Sequence, residues 1–546
     1  MIQLDDLLIG ARFLKALPSF LRRPVTPAEA RAALSERLAH REARFLTLAR
    51  RAVYEHDGSP YRELLRLAGC TLGDLERLVT RDGVEHALSL LAQHGVYVTV
   101  DEYKGRRPLV RGGVRVPIAP DRLRNPRGRS HFPVRTSGSR GGGTALGVDL
   151  AYIRAHAVDK CLVLAARDGL GWRHAVWQVP GGAAMGQILR FSALGGYPAR
   201  WFSQIDPWSP ELHPRYRWSA RVLRWGSLLA GRPLPLPEHV PLADPLPIAR
   251  WLAEVRREGG IPHLFTFPSA AVRICETART AGLDVAGARF MVSGEPITAA
   301  RLGAIRHAGT EPSTRYGTIE SNAIGYGCAA PDHPDDVHVL HDLHAVIQAP
   351  DGHTSGLPAG ALLISSIDST APMVLLNLSL GDTGVLAQRR CGCPLEAAGW
   401  STHLHTIRSF EKLTAGGMTF LGTDVIRVLE EALPGRFGGG PADYQLVEEE
   451  GPNGSARLRL LVHPGVGSLD AAAVERTFLA ALSNGSGPER VMGLAWRDAA
   501  IVRVERRAPL TTASGKVLHL HVGRARASGA ADHESSRRTP EPPATW

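Results

Sequence analysis

The stretch "RTSGSRGGGTALGVDL", residues 135–150, combines small hydroxyl residues, clustered glycines and two arginines. Gly138, Gly141, Gly142 and Gly143 permit backbone angles that other residues avoid. Such a loop can turn N–H groups toward an anion, with Thr136, Ser137 and Ser139 adding hydroxyls and Arg140 a cation. Asp149 suits the start of a helix, which would bring a helix N-terminus close by. No Gly-Lys-Ser/Thr closes the loop, so it is not a Walker loop. On these residues alone, a surface linker and a phosphate cradle both stand.

The surrounding chain narrows the choice. Its 546 residues suggest about three or four domains at roughly 150 residues each. Apolar residues make up 44% and charged residues 21%, the balance of a globular protein. No apolar run reaches the roughly 20 residues of a membrane span. "MIQLDDLLIG" lacks the layout of a signal peptide, so a cytoplasmic location is expected. The net charge is +11, but the excess is arginine scattered along the chain, with no basic run to grip nucleic acid.

Residues 1–100 read as helices, because apolar residues recur at helical spacing between charges. "LLIGARFLKALPSFLRR" is amphipathic and basic; it suits a helix packed on its own domain or one lying on a membrane surface. Near 100–135, "VYVTVDEY" and "RPLVRGGVRVPIAP" read as short strands and turns. From 136 to about 390, strand candidates ("HAVWQV", "ARFMVSG", "HVLHDLHAVI", "GALLISSI") alternate with helix candidates ("AYIRAHAVDKCLVLAAR", "SAAVRICETARTAG"). That alternation predicts an α/β core with a parallel sheet. The proline-rich "GRPLPLPEHVPLADPLP" (231–247) reads as an exposed loop or insertion. A smaller α/β unit follows from about 408, and the last residues have the composition of a disordered tail.

Four further segments follow the opening loop in order: "SGEP" (293–296), "RYGTIES" (315–321), "LGDTG" (380–384) and "PLTTASGKVL" (509–518). In order and rough spacing the five resemble the motifs of the adenylate-forming superfamily. Within it the chain resembles the phenylacetate-CoA ligase branch, whose N-terminal helices "SPYRELLRLAGCTLGDLERL" (59–78) also resembles. The likeness spans about residues 55–522. It implies an α/β fold: a large N-terminal adenylating domain with a helical N-terminal region and mostly parallel sheets, and a small mobile α+β C-terminal domain. Residues 1–130 would form the helical part of the large domain and 131–407 its ATP- and acyl-binding core. Residues 408–523 would form the small lid domain and 524–546 a disordered tail.

The resemblance implies ATP-dependent activation of a carboxylic acid through an acyl-adenylate, followed by transfer to coenzyme A. Transfer to a carrier protein or an amine is the alternative acceptor reading. A catalytically impaired, ligase-like interaction protein is the alternative from another class. The loop Thr136, Ser137, Gly138, Ser139, Arg140, Gly141 would close over the β- and γ-phosphates. Arg140 and Gly143 stand where the family keeps a small hydroxyl and a proline. Gly294, Glu295 and Pro296 would line the adenine pocket. Tyr316 would stack on adenine beside Gly317, and Glu320 would hold Mg²⁺, a hard cation that prefers carboxylate oxygen. Ile319 replaces a threonine. Asp382 would accept hydrogen bonds from the ribose hydroxyls. Lys516 would neutralise charge developing between carboxylate and α-phosphate. Arg408 matches the hinge segment, while Phe410 and Glu411 stand where aspartates are expected.

Cys391 and Cys393 form a Cys-x-Cys pair; Cys328 lies upstream, followed by His333, His338, His341 and His344. Three thiolates and an imidazole make a closed tetrahedral zinc site, and reduced buried cysteines are the alternative. The resemblance implies the set Cys328, His338, Cys391 and Cys393, holding structural Zn²⁺. Cys70, Cys161 and Cys275 lie in apolar helical contexts and read as core. Residues 174–206 suit either an apolar acyl channel or a buried strand–helix pair. The expected partners are a small aryl or acyl carboxylic acid and, under the alternative acceptor reading, a carrier protein; a homodimer is the alternative to a monomer. Nucleic acid and a transmembrane segment are not expected.

Overall fold

The computed structural model describes residues 4–128, 130–135, 145–196, 198–210, 214–350, 356–410, 414–415, 418–419, 423–450, 456–483, 502–512 and 515–522. The opening loop, 136–144, and Glu411 lie outside the described residues. The N-terminal hundred residues are helical, and their helices begin at sequence-encoded caps. Thr26 and Glu29 form a capping box at Pro27–Ala39, as Thr71 and Asp74 do at Leu72–Gln93. The helix Leu4–Arg22 buries Phe13, Leu17 and Leu21 against the chain's own helix Pro214–Leu229. Its apolar face is therefore covered by protein. "VYVTVDEY" forms the short helix Val100–Tyr103, because Thr99 and Glu102 supply a third capping box. The following segment makes the expected hairpin, Leu109–Arg111 with Val114–Val116.

A ten-stranded sheet organises the middle of the chain. Six strands, Arg173–Gln178, Arg200–Ser203, Pro237–His239, Pro262–Thr266, Arg289–Ser293 and Glu311–Thr318, pair in parallel. Helices Gly182–Ser192, Leu246–Arg257, Pro268–Thr280 and Ala299–His307 provide crossovers between them. Beyond Glu311–Thr318 the sheet turns antiparallel through Asn322–Gly327, Val337–Val339, Thr402–Ser409 and Asp382–Gln388. The change has a local cause. Residues 318–322 make a tight turn with Asn322 at φ 62°, too short to carry a crossover helix.

Two expectations are corrected here. The proline-rich segment 231–247 is not simply an exposed loop: Pro237–His239 is the edge strand, and Leu234 and Val240 are buried. Proline is tolerated there because an edge strand has one unpaired side. "HVLHDLHAVI" is two strands, Val337–Val339 in the large sheet and His344–Gln348 paired with Leu362–Ser366, separated by a turn.

Asp149 caps the helix Leu150–Ala165, its side chain accepting from the Ala151 N–H at 2.7 Å. This helix and Gly182–Ser192 cover one face of the sheet. The small unit has a four-stranded sheet in the order Val502–Arg506, Ala456–Val462, Tyr444–Glu450, Leu520–Val522, with the helix Ala471–Ser483 against it. All six cysteines are free; Cys161 and Cys275 are buried and Cys70 is half-buried. No helix among the described residues is long and apolar enough to cross a membrane.

Candidate functional site

The site forms where the C-terminal ends of the parallel strands meet a loop of the small domain. The strand Arg289–Ser293 ends at Gly294, which holds a left-handed φ of 87°. A Cβ there would lie 3.0 Å from Lys516 Cε and 3.1 Å from Lys516 Nζ. The lysine stem thus lies on bare glycine backbone, with its ammonium 5.8 Å from the centre of the Phe267 ring. The loop carrying Lys516 is tied by Thr512, whose hydroxyl accepts from the Lys516 N–H at 3.1 Å. Gly515, at φ 79°, presses so closely on Gln204 that an added Cβ would stand 1.8 Å from its Oε1.

The Glu295 carboxylate ties the strand end to the Lys516 loop. Its Oε1 accepts from the Val517 N–H at 2.7 Å, one residue past Lys516, and from the Ser269 hydroxyl at 2.9 Å. Its Oε2 accepts from the Ser269 N–H and from Arg301, each at 3.0 Å. Arg301 Nε reaches Glu430 at 2.7 Å, and Glu430 also receives Thr298 and meets His519 Nε2 at 2.5 Å. The network runs from the large domain to the small one and is sealed from water, the Arg301, Glu295 and Glu430 side chains being at most 1% exposed. Burial pushes the Glu430 carboxyl up, but Arg301 and then His519 pull harder, leaving it below the ordinary range. Burial, with Arg301 beside it, holds His519 below its ordinary value.

Tyr316 and Asp382, separated by 66 positions, meet: the phenol donates to Asp382 Oδ2 at 3.0 Å. Burial and then that carboxylate raise the phenol well above its ordinary value. Gly317 follows, where an added Cβ would strike the Asn322 carbonyl at 1.9 Å. Glu320 is buried at the turn and accepts from Tyr103 at 3.4 Å. Burial raises its carboxyl, with Lys104 among the opposing groups. Arg408 directs its guanidinium to Asp335 at 3.0 Å, and Asp335 also accepts from the N–H groups of Thr406 and Ile407. That bond fixes the end of Thr402–Ser409 rather than joining Tyr316 and Asp382. Pro296 follows Glu295, and its carbonyl accepts from Arg301 at 3.3 Å.

A second cluster lies at the antiparallel end of the sheet. Cys328, His338, Cys391 and His403 have candidate ligand atoms all within 4.8 Å of one another. The sequence reading placed Cys393 in this group and left out His403. Cys393 Sγ is 3.1 Å from His338 Nε2 but does not belong to that mutual set. His403 enters because its strand pairs with Val337–Val339, putting His338 and His403 directly opposite. The His403 ring is fixed by Nδ1 on Asp336 at 2.7 Å, while its buried Nε2 has no hydrogen-bond partner. A carboxylate-backed imidazole with an orphaned nitrogen beside thiols is the donor arrangement that suits zinc. His403 lies ten residues past Cys393, so its histidine was visible in the sequence; the strand register was not.

Glu295 was singled out, but Arg301, Glu430 and His519 carry no motif and are brought together only by domain docking. Residues 174–206 form a buried strand–helix–strand unit, with Trp177, Ile188, Phe191 and Phe202 in the core.

No protein-family model matches the chain, and no curated protein matches its sequence. Solved structures do match. One is 2-hydroxyisobutyryl-CoA ligase in its postadenylation state, in complex with 2-HIB-AMP. It is 16% identical with a TM-score of 0.52, over 92% of this chain and 91% of that one. The same ligase in its thioesterification state, with CoA, gives 18% identity and a TM-score of 0.44 over 90% of each chain. The anthranilate CoA ligase in complex with anthranoyl-AMP gives 13% identity and 0.43, over 70% of this chain and 65% of that one. The likeness at 0.52 establishes the fold: the chain is built as 2-hydroxyisobutyryl-CoA ligase is.

Proposed function

We propose that this protein activates a carboxylic acid with ATP, forming an acyl-adenylate and pyrophosphate, and then transfers the acyl group to coenzyme A. The observation that carries the reading is the delivery of Lys516 onto Gly294 by a docked second domain. A fixed cation at the strand ends can stabilise charge developing between carboxylate and α-phosphate. The aromatic ring of Tyr316 and the carboxylate of Asp382 suit a nucleoside, as base platform and ribose acceptor. Glu320 is the candidate Mg²⁺ ligand: burial raises its carboxyl above the ordinary range, and a cation bound there would favour the ionised form. The loop Thr136–Gly141 would receive the outer phosphates. Glu295 and Arg408 take positioning roles, the first in domain docking and the second in fixing the strand next to Asp382.

The test is carboxylate-dependent pyrophosphate release across a panel of aryl, aliphatic and dicarboxylic acids. Wild type should respond to at least one acid, and Lys516→Ala should fall roughly 100- to 1000-fold, the range for losing one preorganised charge donor. Equal release by the variant would overturn the assignment.

We further propose that Cys328, His338, Cys391 and His403 hold a structural zinc, with Cys393 as the adjoining thiol. All positions are filled by protein donors, so the ion would brace the antiparallel end of the sheet rather than take part in chemistry. Metal analysis should find about one zinc per chain, reduced in both Cys391→Ser and His403→Ala. Retention of metal in His403→Ala with loss in Cys393→Ser would return the site to the ligand set of the sequence reading.

A further inference from the structure

Two arginines buried beneath the docked lysine have no negative partner among the described residues. Arg315 lies on the strand Glu311–Thr318, next to Tyr316 but facing the other side of the sheet, as alternation along a strand requires. Its guanidinium donates to Ser293 Oγ at 3.2 Å and to Asn322 Oδ1 at 2.6 Å. Ser293 immediately precedes Gly294, on which Lys516 rests. Arg190 lies on the helix Gly182–Ser192 that covers this face. It folds back along its own helix over Gly186, with one terminal nitrogen 3.4 Å from where a Cβ would stand.

Both arginines are buried, at 6% and 7% exposure. Among the described residues neither makes an ion pair, and Arg190 makes no side-chain hydrogen bond. Burial, and then the charge of Arg315, push Arg190 down to about 10. The neighbouring carboxylates are engaged elsewhere: Asp159 with Arg37 at 3.0 Å, and Asp368 with the Thr370 N–H and hydroxyl. Lys160, also fully buried, donates to Gln187, and burial lowers it well below its ordinary value. A guanidinium keeps its charge far more firmly than an ammonium. Among the described residues, then, two like charges are held in the interior without a carboxylate in contact with either, an unfavourable arrangement for a buried ion. Around them the Tyr152 hydroxyl, Arg190 Nε, Arg315 Nε and Asn322 Nδ2 are buried donors without acceptors. A cluster of donors and cations lacking acceptors is the complement of an anion.

We propose that Arg190 and Arg315 bind a second anionic group of the acid substrate, so that the protein selects dicarboxylic acids over monocarboxylic ones. The inference rests on the acid-activation reading above and names its substrate class. The carboxylate to be activated points toward Lys516, and the distal one lies between the arginines, with Tyr152 and Asn322 donating to it. A reacting carboxylate is ill suited to that seat. Two guanidiniums would withdraw charge from the oxygen that must attack phosphorus. A distal carboxylate stays anionic through both half-reactions and balances the pair throughout.

The experiment compares acids matched except for the distal group: glutarate with butyrate, adipate with hexanoate, terephthalate with benzoate. Pyrophosphate release is measured with wild type, Arg190→Leu and Arg190→Met. Wild type should favour the better dicarboxylate by roughly 100-fold or more, as sites built around buried polar partners do. Both variants should lose that preference. Thermal melting supplies a readout independent of turnover. Dicarboxylates should stabilise wild type and not the variants, and ligand-free Arg190→Leu should melt at or above wild type, because an uncompensated charge is gone. A wild-type preference for monocarboxylates, or an unchanged ratio in the variants, overturns the inference and leaves acid activation standing. Failure of every acid to release pyrophosphate, with Arg190→Leu melting well below wild type, overturns both.

Discussion

Two buried charge clusters lie within a few residues of each other and are built on opposite plans. In the first, the cation Arg301 stands between the carboxylates Glu295 and Glu430, with the His519 ring on Glu430, and each of these contacts is 3.0 Å or shorter. In the second, Arg190 and Arg315 share a sign, and donors around them go unused. Burying a charge is costly unless it is paired. The first cluster meets that demand inside the chain, by bringing two domains together. Among the described residues the second does not meet it. Paired charge marks a place where the protein closes on itself; the unpaired arginines are where we propose that a ligand completes it.

The sharpest way to break this contrast is to make the first cluster resemble the second. Arg301→Leu would leave Glu295 and Glu430 buried without their cation, a loss of about 3–5 kcal/mol. Limited proteolysis near residues 408–423 should then cut much faster than in wild type, and pyrophosphate release should fall with it. Unchanged protection would mean that the network does not hold the domains. The contrast with Arg190→Leu is the point: the same substitution of a buried arginine should destabilise in one cluster and not in the other.

A smaller effect is expected from Gly515→Ala. The added methyl meets Gln204 and requires a left-handed φ, so the Lys516 loop must lift. A cost of roughly 1–3 kcal/mol is expected, seen as reduced activity with little change in the melting of the large domain. Gln204→Ala in the same chain should recover part of the loss by removing the obstructing atom; no recovery would place the defect in the backbone angle alone.

The smallest effect is on pH. His519 is held below its ordinary value of 6.5, so the docked state binds fewer protons there than the undocked one. Docking should be complete above that value and weaken as pH falls below it. Glu430 is held below its ordinary 4.5, so its contribution persists above that value and disappears only on further acidification. Protease protection measured against pH should therefore decline in two steps, and His519→Gln should flatten the upper one. A protection curve that rises on acidification would reverse the sign assigned to the pair.

Local chemistry made much of this legible. The caps at Thr26 and Thr71, the Asp149 start of a helix and the alternation of strands with helices are written within a few residues of where they act. The ordered motifs also singled out Gly294, Glu295, Tyr316, Asp382 and Lys516. Their roles were less legible than their positions. Glu295 reads as part of a nucleotide pocket, yet its carboxylate is spent on Val517, Ser269 and Arg301. "VYVTVDEY" looks like a strand by residue type, but the Thr99–Glu102 capping box makes it helical.

What the sequence alone determined is therefore what short-range physics decides: where helices begin, which segments alternate, and which residue types sit in a glycine-rich turn or a Cys-x-Cys pair. Tertiary structure decided everything that depends on charge compensation and register. His403 joins the cysteines because two strands set it opposite His338. Arg301 meets Glu430 across 129 positions, and Arg190 lies near enough to Arg315 for the two like charges to repel, with no carboxylate paired to either among the described residues. Whether a buried ion is balanced depends on neighbours distant in the chain, and no window of sequence contains them.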